Sequence, residues 1–125
     1  MVQMNNPVEQ RRHRRLQVRD GAFVLLGPDS TKLGRIIDIC EGGLAFSHMA
    51  RARPSADLFE LDLFLIDEDF YVSEIPFSTV WDMKTHENPF SSITLRRCGV
   101  QFGELNPSQR TDIDCFIQNH TLREV

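Results

Sequence analysis

A succession of short apolar segments, separated by turns and with no helical pattern between them, constrains the fold of this 125-residue chain most strongly. The segments are rich in β-branched and aromatic residues, which is typical of strands. They span residues 22–26, 33–40, 44–48, 58–66, 70–75, 77–81 and 93–102. Strands that follow one another without helical crossovers pair antiparallel, and closing a small barrel removes exposed edges. The sequence therefore predicts an all-β, mainly antiparallel fold of six to seven strands, closed or nearly closed into a barrel.

Loop signals set the boundaries between these strands. Residues 49–57 and 84–92 are predicted to be loops, and residues 67–69 an acidic turn whose carboxylates are simply solvated. Pro76 interrupts an apolar stretch, so it predicts two strands, with the first at an edge or a bulge. Within 58–66, one register is wholly apolar and predicts a half-buried strand; it holds Phe59, Leu61, Leu63 and Leu65.

One helix is predicted, over residues 106–120. Asn106 is a good N-cap, Pro107 suits the first helical position, and Gln109 completes a capping-box pattern. Three apolar residues lie at i, i+3 and i+4 on one helical face: Ile113, Phe116 and Ile117. The helix is therefore expected to pack onto the sheet or to cover one opening of the barrel.

Length and composition indicate a single soluble domain. No apolar run approaches the ~20 residues of a membrane span, and the polar residues 1–7 lack a signal-peptide core, so the chain is expected to be cytoplasmic without membrane insertion. The three cysteines, Cys40, Cys98 and Cys115, are widely spaced and form no zinc-binding pattern with the four histidines. They are predicted to be buried, reduced thiols, with no bound metal.

The net charge of −4 conceals a strong asymmetry. Residues 1–19 carry a net charge of +4, because five arginines face only Glu9, and residues 20–125 carry −8. The acidic body would repel a long polyanion, whereas a small anion gripped by the basic segment alone fits this distribution. Nucleic acid is therefore the least favoured partner.

The residues do not indicate catalysis. The sequence has no GxSxG, HExxH or P-loop motif, and no histidine lies near a patterned nucleophile. Cys40 lies beside Asp38, and a neighbouring carboxylate raises a thiol pKa rather than activating it. The sequence predicts a binding protein and not an enzyme.

Two stretches have the chemistry to bind a nucleotide. Arginines of the segment 11–15 present planar forks that match phosphate oxygens and stack on flat bases. Asp38 lies just before a glycine-containing turn, where it can accept hydrogen bonds from the N1–H and N2–H₂ edge of guanine. Each stretch also has a purely structural interpretation, since Asp38 can cap its own turn and a basic terminus can simply be solvated.

Taken together, the two stretches resemble the PilZ domain, the bacterial receptor module for cyclic di-GMP. The RxxxR motif of that family falls on Arg11 and Arg15, and its [D/N]xSxxG motif falls on Asp38, Cys40 and Gly43. The segments 80–81 and 98–102 resemble its later strands, so the likeness covers nearly the whole chain. It implies a six-stranded antiparallel barrel with a C-terminal helix and a flexible basic N-terminal arm.

The resemblance also implies a domain layout and a set of ligand contacts. Residues 1–8 would be a flexible tail and 9–125 a single domain, made of an arm at 9–19, a barrel at 20–104 and a helix at 106–120. The arm would close over cyclic di-GMP and signal to a separate partner protein, the chain being a monomer or weak dimer with no other cofactor. The arginines would bind phosphate and stack on guanine, Asp38 would accept hydrogen bonds from a guanine edge, and the turn would let the ligand approach the backbone. The implied ligand-binding residues are Arg11, Arg12, Arg15, Asp38, Cys40, Gly42 and Gly43.

Cys40 departs from the family motif, which has serine at that position. A thiol is a weaker and longer hydrogen-bond donor than a hydroxyl. Losing one such bond costs on the order of 1 kcal/mol, a factor of several in affinity. The departure keeps an alternative open, in which the chain is a degenerate PilZ adaptor that binds a protein partner and no nucleotide.

Overall fold

The structure is a computed structural model that describes residues 15–27, 32–51, 59–87 and 93–124. Eight strands and one helix lie in these ranges. In chain order they are β1 (Leu16–Val18), β2 (Ala22–Gly27), β3 (Lys32–Cys40), β4 (Gly43–Arg51), β5 (Glu60–Leu65), β6 (Tyr71–Glu87), β7 (Ile93–Phe102), α1 (Pro107–His120) and β8 (Thr121–Glu124).

Six of the strands form a closed antiparallel barrel, as predicted. Their order is β2-β5-β6-β7-β4-β3, and pairing of β2 with β3 closes the ring. The period-two alternation of the strands fills its interior with apolar side chains. Val24, Leu63 and Ile75, from three different strands, are each 0% exposed.

The apolar register predicted for the fifth strand is confirmed over most of its length. Leu61, Leu63 and Leu65 are buried in the core. The strand begins at Glu60, however, so Phe59 lies just outside it and is 53% exposed.

The predicted helix and its cap are also confirmed. The side chain of Asn106 accepts a hydrogen bond from the backbone N–H of Gln109 at 2.7 Å, and the Gln109 side chain accepts one from the Asn106 N–H at 3.0 Å. Ile113 and Phe116 are fully buried in the same cluster as the barrel core, and Ile117 packs against it. The Phe116 ring lies 5.6 Å from that of Phe70. The apolar face of the helix therefore completes the core.

The prediction of two strands on either side of Pro76 is wrong, since β6 runs through the proline. β6 pairs with β5 as far as Pro76 and with β7 from Phe77 onwards, so the proline lies where the strand changes partner. A missing N–H is tolerated at such a position, and the Pro76 carbonyl accepts a hydrogen bond from Gly103 at 2.8 Å. An irregularity does occur nearby, at Glu74, which has a φ of 57°.

The two predicted loops are shorter than expected. Residues 49–51 continue β4 and residues 84–87 continue β6, because both strands pair with the full length of β7. Met49 pairs with Leu95 and Lys84 with Arg96, for example. The rest of both predicted loops lies outside the described residues.

Part of the predicted flexible arm is a strand. Residues 16–18 form β1, which pairs with β3 on one side and with β8 on the other. β8 was not predicted, since a four-residue segment has too little pattern to show alternation. Residues 9–14 of the arm and the predicted tail 1–8 lie outside the described residues.

Arg19, at the end of the predicted arm, is fixed to the barrel. Its Nη2 lies 3.2 Å from Oδ1 of Asp67 and 2.5 Å from Oε2 of Glu68. Its backbone N–H donates to the His120 carbonyl at 3.3 Å. The side-chain hydrogen bond from Arg19 lowers the pKa of the Asp67 carboxyl. The acidic turn is therefore a partner of Arg19 as well as a solvated surface.

The three cysteines are free thiols, but only one of them is buried as predicted. Cys98 points into the barrel, Cys40 is half-buried, and Cys115 is exposed. Cys115 lies on the helix next to Phe116, and only the Phe116 side faces the core.

Candidate functional site

The β3–β4 hairpin presents the acidic end of the predicted site. Cys40 pairs with Gly43 across a two-residue turn made by Glu41 and Gly42. The register of the two strands shifts between Ile36 and Asp38, which marks a β-bulge.

This bulge explains why Asp38 faces outward. Gly34 and Ile36 are buried, and strict alternation would turn the next residue of that register, Asp38, into the core as well. The extra residue, Ile37, resets the alternation so that Ile39 is 0% exposed inside the barrel. Bulges commonly re-aim side chains next to functional sites. Here the bulge places the Asp38 carboxylate on the outer surface.

The structure brings Asp38 together with one arginine of the RxxxR motif. Arg15 lies immediately before β1, and β1 aligns Leu16 with Ile39 and Gln17 with Asp38. Nη1 of Arg15 is 3.6 Å from Oδ1 of Asp38, and the two side chains are 33% and 15% exposed. The arginine side chain is thus partly covered. Arg11 and Arg12 lie outside the described residues.

Gly43 is required by the barrel itself. A Cβ atom at this position would lie 2.0 Å from the carbonyl oxygen of Val100 on β7. Positive φ angles occur in the described residues only at Gly21 and Glu74, so this turn does not use that freedom of glycine. The Gly42 carbonyl is engaged as well, since it accepts a hydrogen bond from the Phe102 N–H at 2.8 Å. Close packing of β4 on β7 is therefore a sufficient reason for glycine at position 43.

A row of paired residues, called here the floor, extends from Asp38 across the outside of the barrel, and its two middle residues, Ala45 and Gly99, are buried. Asp38 pairs with Ala45, Ala45 with Gly99, and Gly99 with Trp81, which makes one row across four strands. With strands about 4.8 Å apart, the row is about 14 Å long.

The indole of Trp81 forms the far end of this floor. A Cβ atom on Gly99 would lie 2.2 Å from Nε1 of Trp81, so the ring occupies the space that a side chain at position 99 would fill. Sequence analysis did not place Trp81, Ala45 or Gly99 in the site. The order of segments along the chain carries no cross-strand register, and only the likeness of 80–81 and 98–102 to later PilZ strands pointed there.

The titratable groups behind the floor contact one another. Burial raises the pKa of the Cys98 thiol to about 12, which removes it as a nucleophile. Its sulfur lies 3.5 Å from Nε2 of the buried His48. Arg96 donates to Asp82 at 2.8 Å. Across the described part of the chain, no three His, Cys, Asp or Glu side chains are arranged to hold a metal ion.

The helix that the structure describes offers no route across a bilayer, since it is neither long enough nor apolar enough to span one.

Comparison with known proteins agrees with this geometry. The PilZ domain of YcgR from Escherichia coli, solved with c-di-GMP, is 13% identical and superposes with a TM-score of 0.61, covering 89% of this chain and 91% of that chain. MrkH from K. pneumoniae, in a complex with c-di-GMP, is 19% identical with a TM-score of 0.63, covering 88% of this chain and 52% of that chain. This chain therefore spans about half the length of MrkH, and at these identities the likeness shows a shared fold.

No curated protein matches the chain in sequence. The family model for the PilZ domain, in contrast, matches residues 9–119, which is most of the chain. The barrel, the C-terminal helix and the order of the two motifs all agree with that match. The chain belongs to the PilZ domain family.

Proposed function

We propose that this chain is a cyclic di-GMP receptor without enzymatic activity, and that it signals to a separate partner protein. The observation that carries the proposal is the approach of Arg15 to Asp38, at 3.6 Å. It joins the arginine motif and the acidic turn motif, which are far apart in sequence, at one end of the floor. The relatives YcgR and MrkH, whose structures contain c-di-GMP, support this choice of ligand.

Binding would exchange partners at Asp38. The carboxylate is only 15% exposed and already lies near a guanidinium, so a guanine edge must displace that contact. A partly exposed ion pair of this kind is worth at most about 1 kcal/mol. Two hydrogen bonds from N1–H and N2–H₂ of guanine can offset this loss, and Arg15 becomes available for a phosphate or a base face.

The floor is where the ligand would lie. Ala45 and Gly99 have little or no side chain, but both are buried, so a flat ligand must displace what covers them, including the Trp81 indole over Gly99. The indole supplies an aromatic wall on which a guanine can stack, an interaction worth about 1–3 kcal/mol per base. Cys40, half-buried at the hairpin end, would line the ligand from the side of the turn.

A change in the arm can reach the C-terminal elements through β1. This strand pairs with β3 beside Asp38 and with β8, which follows the helix directly. Arg19 strengthens the connection through its contacts with Glu68 and His120. A shift of Arg15 on ligand binding would therefore also be felt at β8 and the end of α1.

Calorimetric titration with cyclic di-GMP tests the proposal. Trp81 is the single tryptophan of the chain, so its fluorescence gives a second, site-specific signal. Arg15→Ala removes a charge-assisted contact and should weaken binding by about tenfold or more without lowering Tm. Arg110→Ala, an exposed arginine on the helix, is the matched control and should bind like the wild type.

Two outcomes would count against the proposal. A folded wild-type protein that gives neither heat nor a fluorescence change at tens of micromolar ligand does not act as a receptor. Equal affinity of the Arg15→Ala variant would place the ligand elsewhere. The degenerate adaptor, favoured by the thiol at position 40, would account for a silent titration if a protein partner binds without nucleotide.

Cys40→Ser tests the role of the turn separately. A hydroxyl restores a stronger and shorter donor, so affinity should rise by about a factor of several, corresponding to one neutral hydrogen bond. Stability should change little, because Cys40 is half-buried and forms no disulfide. A loss of affinity would mean that the thiol is not a compromised ligand contact.

A further inference from the structure

A second surface, next to the floor between Asp38 and Trp81, lies on the outer face of β3, β4, β6 and β7. It is a groove of about 330 Å³ lined by Arg35, Ile37, Ser47, Thr85, Leu95 and Arg97. Arg35 pairs with Ser47, and Ser47 pairs with Arg97, so the two arginines stand on either side of a serine in one row. Two strand spacings separate their Cα atoms, a distance of about 9–10 Å.

The groove is basic in an acidic protein. Both arginines are exposed, and neither forms an ion pair with a carboxylate of the described residues. The nearby acids are already engaged, since Asp38 lies near Arg15 and Asp82 pairs with Arg96. None of the residues lining the groove is acidic. Two positive charges with no carboxylate partner in the described part of the chain are therefore concentrated here, although the chain as a whole carries −4.

Apolar side chains border the same groove. Met49 is 70% exposed, Leu33 and Met83 are each 53% exposed, and Leu95 is 39% exposed. Met49 pairs with Leu95 and Met83 pairs with Arg97, so these residues are continuous with the basic row. Exposed methionine adapts to differently shaped partners. The surface thus combines two fixed positive charges with an adaptable apolar border.

We propose that this groove docks an acidic, partly apolar segment of a partner protein. The complementary segment has two carboxylates about 10 Å apart with an apolar side chain between them. A helix provides this spacing when acidic residues lie at i and i+7, since seven residues rise about 10.5 Å, with leucine at i+3 or i+4. A nucleic acid fits less well, because a long polyanion would meet the acidic body and would leave the apolar border unused.

The groove also adjoins the candidate ligand site. Ile37, the bulged residue, lines the groove and is bonded directly to Asp38. A partner seated in the groove would therefore contact the segment that presents Asp38. The inference deepens the proposed function by naming the surface that meets the partner, and only its dependence on ligand rests on that function.

Fluorescence anisotropy with a synthetic peptide tests the groove. The probe is a fluorescein-labelled, alanine-based helical peptide with glutamates at i and i+7 and leucine between them; the control peptide has glutamine in place of both glutamates. We expect the glutamate peptide to bind, the glutamine peptide to bind at least about tenfold more weakly, and Arg35→Glu or Arg97→Glu to cause a similar loss. Arg110→Glu makes the same charge change on the helix and should leave peptide binding unchanged. Thermal melts of all variants establish that they are folded.

Several results would overturn the docking proposal. One is that the glutamate peptide does not bind up to about a millimolar, near the weak limit of specific association. The others are that the two peptides bind equally well, or that both groove variants bind the glutamate peptide as tightly as the wild type does. Loss of single-stranded DNA binding in the same variants would assign the groove to phosphates, and loss of self-association in sedimentation would assign it to a second copy of the chain.

Cyclic di-GMP titrations of the same samples separate the two proposals. If Arg35→Glu weakens nucleotide binding as much as Arg15→Ala does, the groove belongs to the ligand site and the docking proposal is wrong. Peptide binding combined with a silent nucleotide titration would refute the receptor function and leave the groove standing. Nucleotide binding without peptide binding would refute the docking proposal alone.

Discussion

Replacing Gly43 by alanine separates the structural role of the turn glycine from any role in ligand approach. The new Cβ would lie 2.0 Å from the Val100 carbonyl oxygen and 3.2 Å from Cα of Gln101. Ordinary contacts are about 3.5 Å, so β4 and β7 must separate by more than about 1 Å. Overpacking of this kind costs about 1–3 kcal/mol, and each weakened ladder hydrogen bond adds about 0.5–1.5 kcal/mol. A loss of about 2–4 kcal/mol follows, out of about 5–15 kcal/mol for a typical domain.

Thermal and urea unfolding measure this loss. For a chain of this length, about 2–4 kcal/mol corresponds to a fall in Tm of about 8–15 °C. Gly103→Ala is a suitable control, because the nearest atom to its Cβ would be the Cβ of Pro76, at 3.1 Å, on an exposed segment. Its cost should stay below about 1 kcal/mol, as for most surface changes. A Gly43→Ala protein with wild-type Tm and impaired ligand binding would refute the packing argument and return the glycine to a purely ligand-facing role.

Three further predictions concern groups around the barrel. His48 is buried with no hydrogen-bond partner for Nδ1 among the described residues, and desolvation lowers its pKa. Protonation of His48 therefore favours the unfolded chain. As the pH is lowered from about 6.5, the free energy of unfolding should decrease by up to about 1.4 kcal/mol per pH unit. His48→Gln should remove that slope in urea unfolding at several pH values, and an unchanged slope would assign it to other groups. Gln109→Ala removes three side-chain hydrogen bonds, to Asn106 N–H and to the carbonyls of residues 73 and 74, and should lower Tm by about 4–8 °C, or about 1–2 kcal/mol; an unaltered melt would show that the cap contributes nothing. Gly99→Ala should displace the Trp81 indole, whose Nε1 lies 2.2 Å from the added Cβ, and should change tryptophan emission in the absence of ligand; identical spectra would contradict this packing.

The barrel could be predicted from the sequence because its strands carry strong local signals. Alternation places Leu61, Leu63 and Leu65 in one register, and that register is the buried one. The cap of the helix is similarly local, since Asn106 and Gln109 are three residues apart. Signals of this range depend on neighbouring residues only, so no knowledge of the tertiary structure is needed to interpret them.

Features that depend on pairing between distant segments were not predictable. The continuity of β6 through Pro76 follows from its change of partner between β5 and β7. β8 forms because β1 gives it a pairing edge, although 102 residues lie between the paired Val18 and Thr121 and the four residues of β8 have no distinct pattern alone. For the same reason, the sequence did not predict that Trp81 lies in the same cross-strand row as Asp38, because that row depends on the registers of β4 and β7.

The glycines of the site carry less functional weight than their position in the motif implies. A side chain at position 43 would clash with the Val100 carbonyl, and one at position 99 would clash with the Trp81 ring. Packing therefore accounts for both glycines whether or not a ligand binds. Asp38 is different, because a bulge turns it outward when alternation would have buried it. The case for a ligand site therefore rests on Asp38 and on Arg15, which approaches it. Under the proposed function, the thiol at position 40 would affect affinity for the ligand, whereas the fold that presents Asp38 depends on the bulge and on the glycine packing behind it.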